Sequence, residues 1–258
     1  MTAWTALAAV PVAAVVAALG TACGEGGDDR PAAGGVRGSI TVLAAASLQE
    51  PFTELGRRFE ARHPGASVRF SFDGSSTVAR QVEAGAPADV LATADEASMA
   101  PVAGAGLVSA PLVFARNRLA ILVARGNPHR IRALADLGRP GLDVVLCAPD
   151  VPCGRLAATA LERAGAGVRP RSLELNVKGV VAKVTLGEAD AGIVFVTDVG
   201  AAGRRTEGVE IPEEENAVTG YPLATVRAAP NQEAAARFVE LVVSEEGRQV
   251  LAGSGFET

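Results

Sequence analysis

Apolar residues fall in short runs along most of the chain, and between the runs they recur every three or four positions. The run Ile40-Thr41-Val42-Leu43-Ala44 has the length of a buried strand, and Leu48, Phe52, Leu55 and Phe59 after it share one helix face. Residues 68–72 predict a second strand, and Ser75-Ser76-Thr77 before Val78-Ala79-Arg80-Gln81-Val82 predicts a capped helix. Residues 90–93 predict a third strand, and Asp95 opens a third helix. Leu112-Val113-Phe114 leads toward a separate strand at 119–123. Strands at 144–146 and 172–175 run into helices from about Cys153 and Val177, and strands at 191–195 and 222–226 follow. Helices at about 232–243 and 244–251 close the pattern. Repeated alternation of strand and helix predicts an α/β chain with mostly parallel sheets covered on both faces.

The pattern differs before residue 39. Residues 1–22 carry no charge, and an apolar run from Ala3 to Leu19 ends in small residues ahead of Cys23. This reads as an export signal that is removed; Pro11 and the small residues argue against an uncleaved anchor. Leu19-Gly20-Thr21-Ala22-Cys23 resembles the end of a bacterial lipoprotein signal, with Cys23 as the acylated residue. It departs from that pattern at Gly20, where Leu is usual, and in having no basic residue ahead of the apolar run. Residues 23–38, with Gly24-Glu25-Gly26-Gly27-Asp28-Asp29, then read as the lipidated Cys and a flexible tether. The expected location is extracytoplasmic, lipid-anchored to the cell membrane.

Composition narrows the chemistry. With 258 residues, 48% hydrophobic and 21% charged, the chain suits one large domain or two small ones. A net charge of −5 argues against a nucleic-acid partner. Two His and three Cys leave little for a metal centre or a His-based triad, and 4% aromatics leave little for stacking platforms.

In open α/β sheets, ligands sit beyond the strand C-termini, where helices begin. Four such turns stand out: Ala44-Ala45-Ala46-Ser47-Leu48, Asp73-Gly74-Ser75-Ser76-Thr77, Val151-Pro152-Cys153-Gly154 and Leu175-Asn176-Val177-Lys178. Each is small or weakly polar. Free N–H groups and short hydroxyls at helix starts favour anions. Ordinary N-capping explains any one of them; four together point toward a site without naming its ligand.

Those same residues carry a family resemblance. Residues 41–48 and the long stretch 72–90, together with Val151-Pro152-Cys153-Gly154 and Gly192-Ile193-Val194-Phe195-Val196-Thr197-Asp198, resemble the extracytoplasmic molybdate-binding proteins of ABC transporters. The resemblance runs from about Ser39 to Phe256. It implies a type II periplasmic-binding-protein fold of two lobes, each a mostly parallel sheet flanked by helices, with an oxyanion in the cleft between them. The lobes expected are 39–116 plus 214–258, and 117–213, with two crossovers as hinge.

The resemblance also implies ligand contacts at Ser47 and Ser75 in the first lobe and at Cys153, Val177 and Phe195 in the second. Cys153 and Val177 would act through backbone N–H groups. The family often has Tyr where this chain has Phe195, so either a backbone N–H, the Thr197 hydroxyl or water replaces a phenolic donor, or one oxygen is left under-bonded. The implied ligand is molybdate or tungstate, with no cofactor and no metal except molybdenum as the oxyanion. The implied partner is a membrane permease, served by a monomer. A cavity of donors alone disfavours hydrogen phosphate, whose buried O–H would lack an acceptor at a cost of about 1–3 kcal/mol.

A binding protein for another anion such as sulfate is the nearest alternative, and a hydrolase using Ser47 or Cys153 a further one. Neither residue lies in a known nucleophile motif, and His63 and His129 read as solvated. Glu213-Glu214-Glu215 reads as a solvated loop. Cys147 and Cys153 are expected to form a disulfide, since an exported chain keeps such bonds and Cys23 is assigned to lipid; two free thiols are the alternative.

Overall fold

The computed structural model describes residues 36–258. The expected signal segment 1–22, the expected lipidated Cys23 and the expected tether as far as residue 35 lie outside the described residues. The tether expected to reach residue 38 ends sooner: Val36 is buried in the core, and the first strand, β1 (Arg37–Ala45), already pairs Arg37 with Gly65.

A 3-10 turn (Ala46–Leu48) carries β1 into α1 (Gln49–Arg62), followed by β2 (Gly65–Asp73), α2 (Ser75–Glu83), β3 (Val90–Ala92) and α3 (Glu96–Gly104). The long β4 (Leu112–Ala124) leads to β5 (Val144–Cys147), α4 (Pro152–Arg163), β6 (Ser172–Glu174), α5 (Val177–Leu186), β7 (Ala191–Phe195) and α6 (Val196–Ala202). Then come β8 (Thr206–Glu210), β9 (Val218–Thr225), α7 (Gln232–Val243) and α8 (Glu245–Gly253). The helical spacing seen in α1 buries Phe52, Leu55 and Phe59, and Phe52 meets Phe70, Phe114 and Phe238 at ring separations of 5.8–6.4 Å.

The strands form one nine-stranded mixed sheet in the order β2-β1-β3-β9-β4-β7-β5-β6, with β8 also on β4. The expectation of mostly parallel sheets holds within β2-β1-β3 and β6-β5-β7 but fails at the centre. There β4 runs antiparallel to β7, β8 and β9, and β3 antiparallel to β9. The cause is β4 itself. The two strand-like runs around residues 112–123 are one strand, which pairs with β9 through Arg118 and with β7 from Leu119 onward. β8 was not foreseen: Thr206-Glu207-Gly208-Val209-Glu210 has one large apolar residue, and its burial alternates along an edge.

This topology sets the C-terminal ends of β1 and β2 opposite those of β5, β6 and β7. The helix starts that follow each strand therefore face one another.

Candidate functional site

Between these ends lies a small, partly open cavity, lined by residues 45–47, 73–75 and 94 on one side and by residues 151–153, 176, 177 and 195 on the other. Its free space of about 20 Å³ is far below that of pockets for drug-sized ligands, so it suits a small solute. Ser47, Ser75, Cys153, Val177 and Phe195 all line it, although they are scattered over some 150 residues of sequence.

The helix starts at the cavity differ from those elsewhere. Away from it, α7 and α8 are capped by the side chains of Asn231 and Ser244, and α3, which starts at the cavity edge, by Asp95. At the cavity, the 3-10 turn, α2 and α4 have no side-chain cap, because Ala45, Gly74 and Val151 stand at the cap positions. The first N–H groups of a helix lack intrahelical partners and carry the positive end of its dipole. Leaving them uncapped around one small cavity creates donors for an anion. α5 is the exception, capped by Asn176 through Gly179 N–H.

The serine hydroxyls reinforce this. Ser75 Oγ accepts from Ala94 N–H at 2.9 Å, which leaves the Ser75 proton free to donate. Ser47 Oγ lies 2.9 Å from the hydroxyl of Tyr221. No Lys or Arg is found in the wall among the described residues. Asp73 is the acid there, and its Oδ1 accepts from Gly74 N–H at 2.7 Å and from the Asn176 amide at 2.9 Å.

Charge gathers just behind the wall. Lys178 donates to Glu50 at 2.8 and 2.9 Å and lies 3.2 Å from Asp198 Oδ1, which is fully buried. Burial pushes the Asp198 carboxyl up to about 6 against the pull of Lys178. Burial lowers the Lys178 ammonium, but Asp198 and Glu50 outweigh it and hold it above the ordinary lysine value. Burial also pushes the Tyr221 phenol far above its usual range, so it keeps its proton.

The two walls are tied together. Arg155 of α4 donates to Asp95 at 2.6 and 2.9 Å and to Ser98 at 2.9 Å, Ser76 donates to the carbonyl of Asp150, and Lys178 reaches Glu50. Gly74 allows this approach: a Cβ there would sit 2.4 Å from Leu175 O. Gly154 is equally confined, since a Cβ would meet Ala148 O at 1.9 Å. Cys147 and Cys153 are disulfide-bonded, with Cα atoms 5.7 Å apart, which ties the start of α4 to the end of β5.

Several expectations change here. Thr197 is not in the cavity wall; its hydroxyl accepts from Asn117 Nδ2 at 2.9 Å, behind the wall, so it does not supply the donor missing at Phe195. Sequence reasoning missed Asn117, Tyr221, Lys178 and Asp198. The signals available were an amide within an otherwise strand-like run and the single tyrosine of the chain. The hydrolase alternative loses its chemistry: Cys153 is oxidised, Ser47 pairs with a phenol, and His63 and His129 lie outside the cavity wall.

A small cavity of helix starts at the C-terminal edge of an α/β sheet, without a nucleophile–base pair, defines a protein that binds a small solute. The chain belongs to the bacterial extracellular solute-binding protein family, whose pattern matches residues 40–257; these are binding proteins, not enzymes. It is 43% identical over 256 residues to the molybdate-binding protein ModA of Mycobacterium tuberculosis H37Rv, covering 98% of both chains. Two solved structures share the fold. One is the periplasmic molybdate-binding protein of Azotobacter vinelandii, with a TM-score of 0.74 at 18% identity, covering 85% of this chain and 99% of that one. The other is the sulfate-binding protein SubI of M. tuberculosis H37Rv, with a TM-score of 0.75 at 23% identity, covering 84% and 86%.

Proposed function

We propose that this protein captures molybdate or tungstate outside the cell and hands it to the membrane permease of an ABC transporter. The observation that carries the reading is the set of uncapped helix starts facing one small cavity without lysine or arginine. The 43% identical molybdate-binding relative supports the choice of oxyanion. In this reading Ser47 and Ser75 donate through their hydroxyls, Cys153 and Val177 through their backbone N–H groups, and Phe195 is an apolar wall that excludes water.

The halves of the sheet on either side of the switch in β4 act as two lobes, 39–116 plus 214–258 and 117–213. They close on the anion because only the closed arrangement makes every contact. Cys23 carries the lipid that holds the otherwise soluble, monomeric body at the membrane. Sulfate is the nearest rival, since helix-start N–H groups and serine hydroxyls accept any dianion that fits. A ligand that binds only the folded state raises its stability by mass action. Thermal unfolding should therefore shift upward with molybdate and tungstate, less with sulfate and not with hydrogen phosphate. No shift with any tetrahedral oxyanion would refute the reading.

A further inference from the structure

Tyr221 is the single tyrosine of the chain, is completely buried, and stands behind the cavity wall against Ser47. Its ring packs edge-on against Phe195 and Phe256, at 5.9 and 5.1 Å. Packing alone does not account for its hydroxyl, which sits in a chain of directed hydrogen bonds.

The direction follows from one end. Asn117 Oδ1 accepts from Arg118 N–H at 3.0 Å, so the amide nitrogen must face the other way. That nitrogen donates to Thr197 Oγ1 at 2.9 Å and to the Tyr221 oxygen at 3.4 Å. The Tyr221 oxygen is thus an acceptor from Asn117, and the Tyr221 proton finds Ser47 Oγ at 2.9 Å. Were Ser47 to donate to Tyr221 instead, the phenol would accept twice and its own buried proton would have no acceptor, which is the costly arrangement. Ser47 therefore accepts from Tyr221, and its own proton is left to point into the cavity.

We propose that Asn117 and Tyr221 are positioning residues that hold Ser47 as an obligate donor toward the bound anion. The inference rests on the oxyanion reading of the cavity and deepens it. The phenol of Tyr221 stands behind the wall, not in it. It acts through the serine, so that Ser47 offers no acceptor to a protonated anion.

A double-mutant cycle tests this. Molybdate binding is measured by calorimetry on the full-length wild type, Ser47→Ala, Tyr221→Phe and the double variant, with thermal unfolding of each as a check on the fold. Tyr221→Phe keeps the ring packing and should weaken molybdate about tenfold in the wild-type background, the scale of a hydrogen bond to a charged group, yet less than about twofold when Ser47 is already alanine. A merely structural role would weaken both backgrounds equally, and that additivity overturns the inference. Asn117→Asp leaves the tyrosine in place but reverses the chain, since the carboxylate accepts the Tyr221 proton and Ser47 must then donate backward. It should weaken molybdate about tenfold and admit hydrogen phosphate. Wild-type molybdate affinity in either Tyr221→Phe or Asn117→Asp also overturns the inference. Failure of the wild type to bind molybdate refutes the oxyanion reading itself, a separate outcome read from the same titration.

Discussion

Gly74→Ala isolates the approach of the two walls. Gly74 has φ −57° and ψ 138°, a conformation open to alanine, so the backbone tolerates the change. The added Cβ is another matter. It would sit 2.4 Å from Leu175 O, where ordinary contact begins near 3.4 Å. The walls must then part by about 1 Å, enough to break hydrogen bonds of ordinary length. The Asn176–Asp73 bond and the Ser76–Asp150 bond both span this gap. A neutral hydrogen bond is worth about 0.5–1.5 kcal/mol and one to a charged group about 1.5–3, so the two amount to about 2–4 kcal/mol of closed-state stability. At 1.4 kcal/mol per decade, molybdate affinity should fall by at least about 30-fold. Stability without ligand should barely change, because the smaller unfolded-state entropy of alanine offsets its poorer capping. Isothermal calorimetry and ligand-free thermal unfolding measure the two effects. Affinity within about threefold of wild type would refute the reasoning. So would a large loss of ligand-free stability, which would mean that the walls meet whether or not an anion is bound.

Asp198→Asn tests the buried carboxylate. With its pKa raised from 3.8 to about 6, the folded protein binds its proton more tightly than the unfolded chain, so stability falls as pH rises through that window. The loss is about 3 kcal/mol once both states are ionised. The asparagine variant should match wild type below about pH 4 and be the more stable above about pH 6 in urea unfolding; a less stable variant at pH 7 would show that the Lys178 pair outweighs burial. Replacing Cys147 and Cys153 by serine should lower stability by about 2 kcal/mol for so short a loop. It should also weaken molybdate by freeing the start of α4, and equal affinity would separate the bond from the site. Phe195→Tyr should change molybdate affinity by less than about tenfold, since Tyr221 already supplies a phenol. Tight binding gained only in the tyrosine variant would refute the part given to Phe195 and Tyr221.

Most helices and strands were legible because their apolar periods are clean: α1 buries Phe52, Leu55 and Phe59 on one face, and β5 and β7 are continuous buried runs. What escaped was pairing. Nothing in residues 112–124 announces that one strand changes partners at Leu119, because both segments read as extended chain. β8 escaped because an edge strand needs only one buried face. The candidate wall was legible through its small, weakly polar turns together with the family resemblance. The second layer was not: Asn117 and Tyr221 act from behind the wall, and their contacts with Ser47, Thr197 and each other span 80–174 residues of sequence.

Calorimetric titration of the purified wild-type protein with molybdate, tungstate, sulfate and hydrogen phosphate tests the central claim most directly. The account predicts one tight site for molybdate and tungstate, weaker binding of sulfate, and no measurable binding of hydrogen phosphate. Hydrogen phosphate bound as tightly as molybdate, or no oxyanion bound at all, would contradict it.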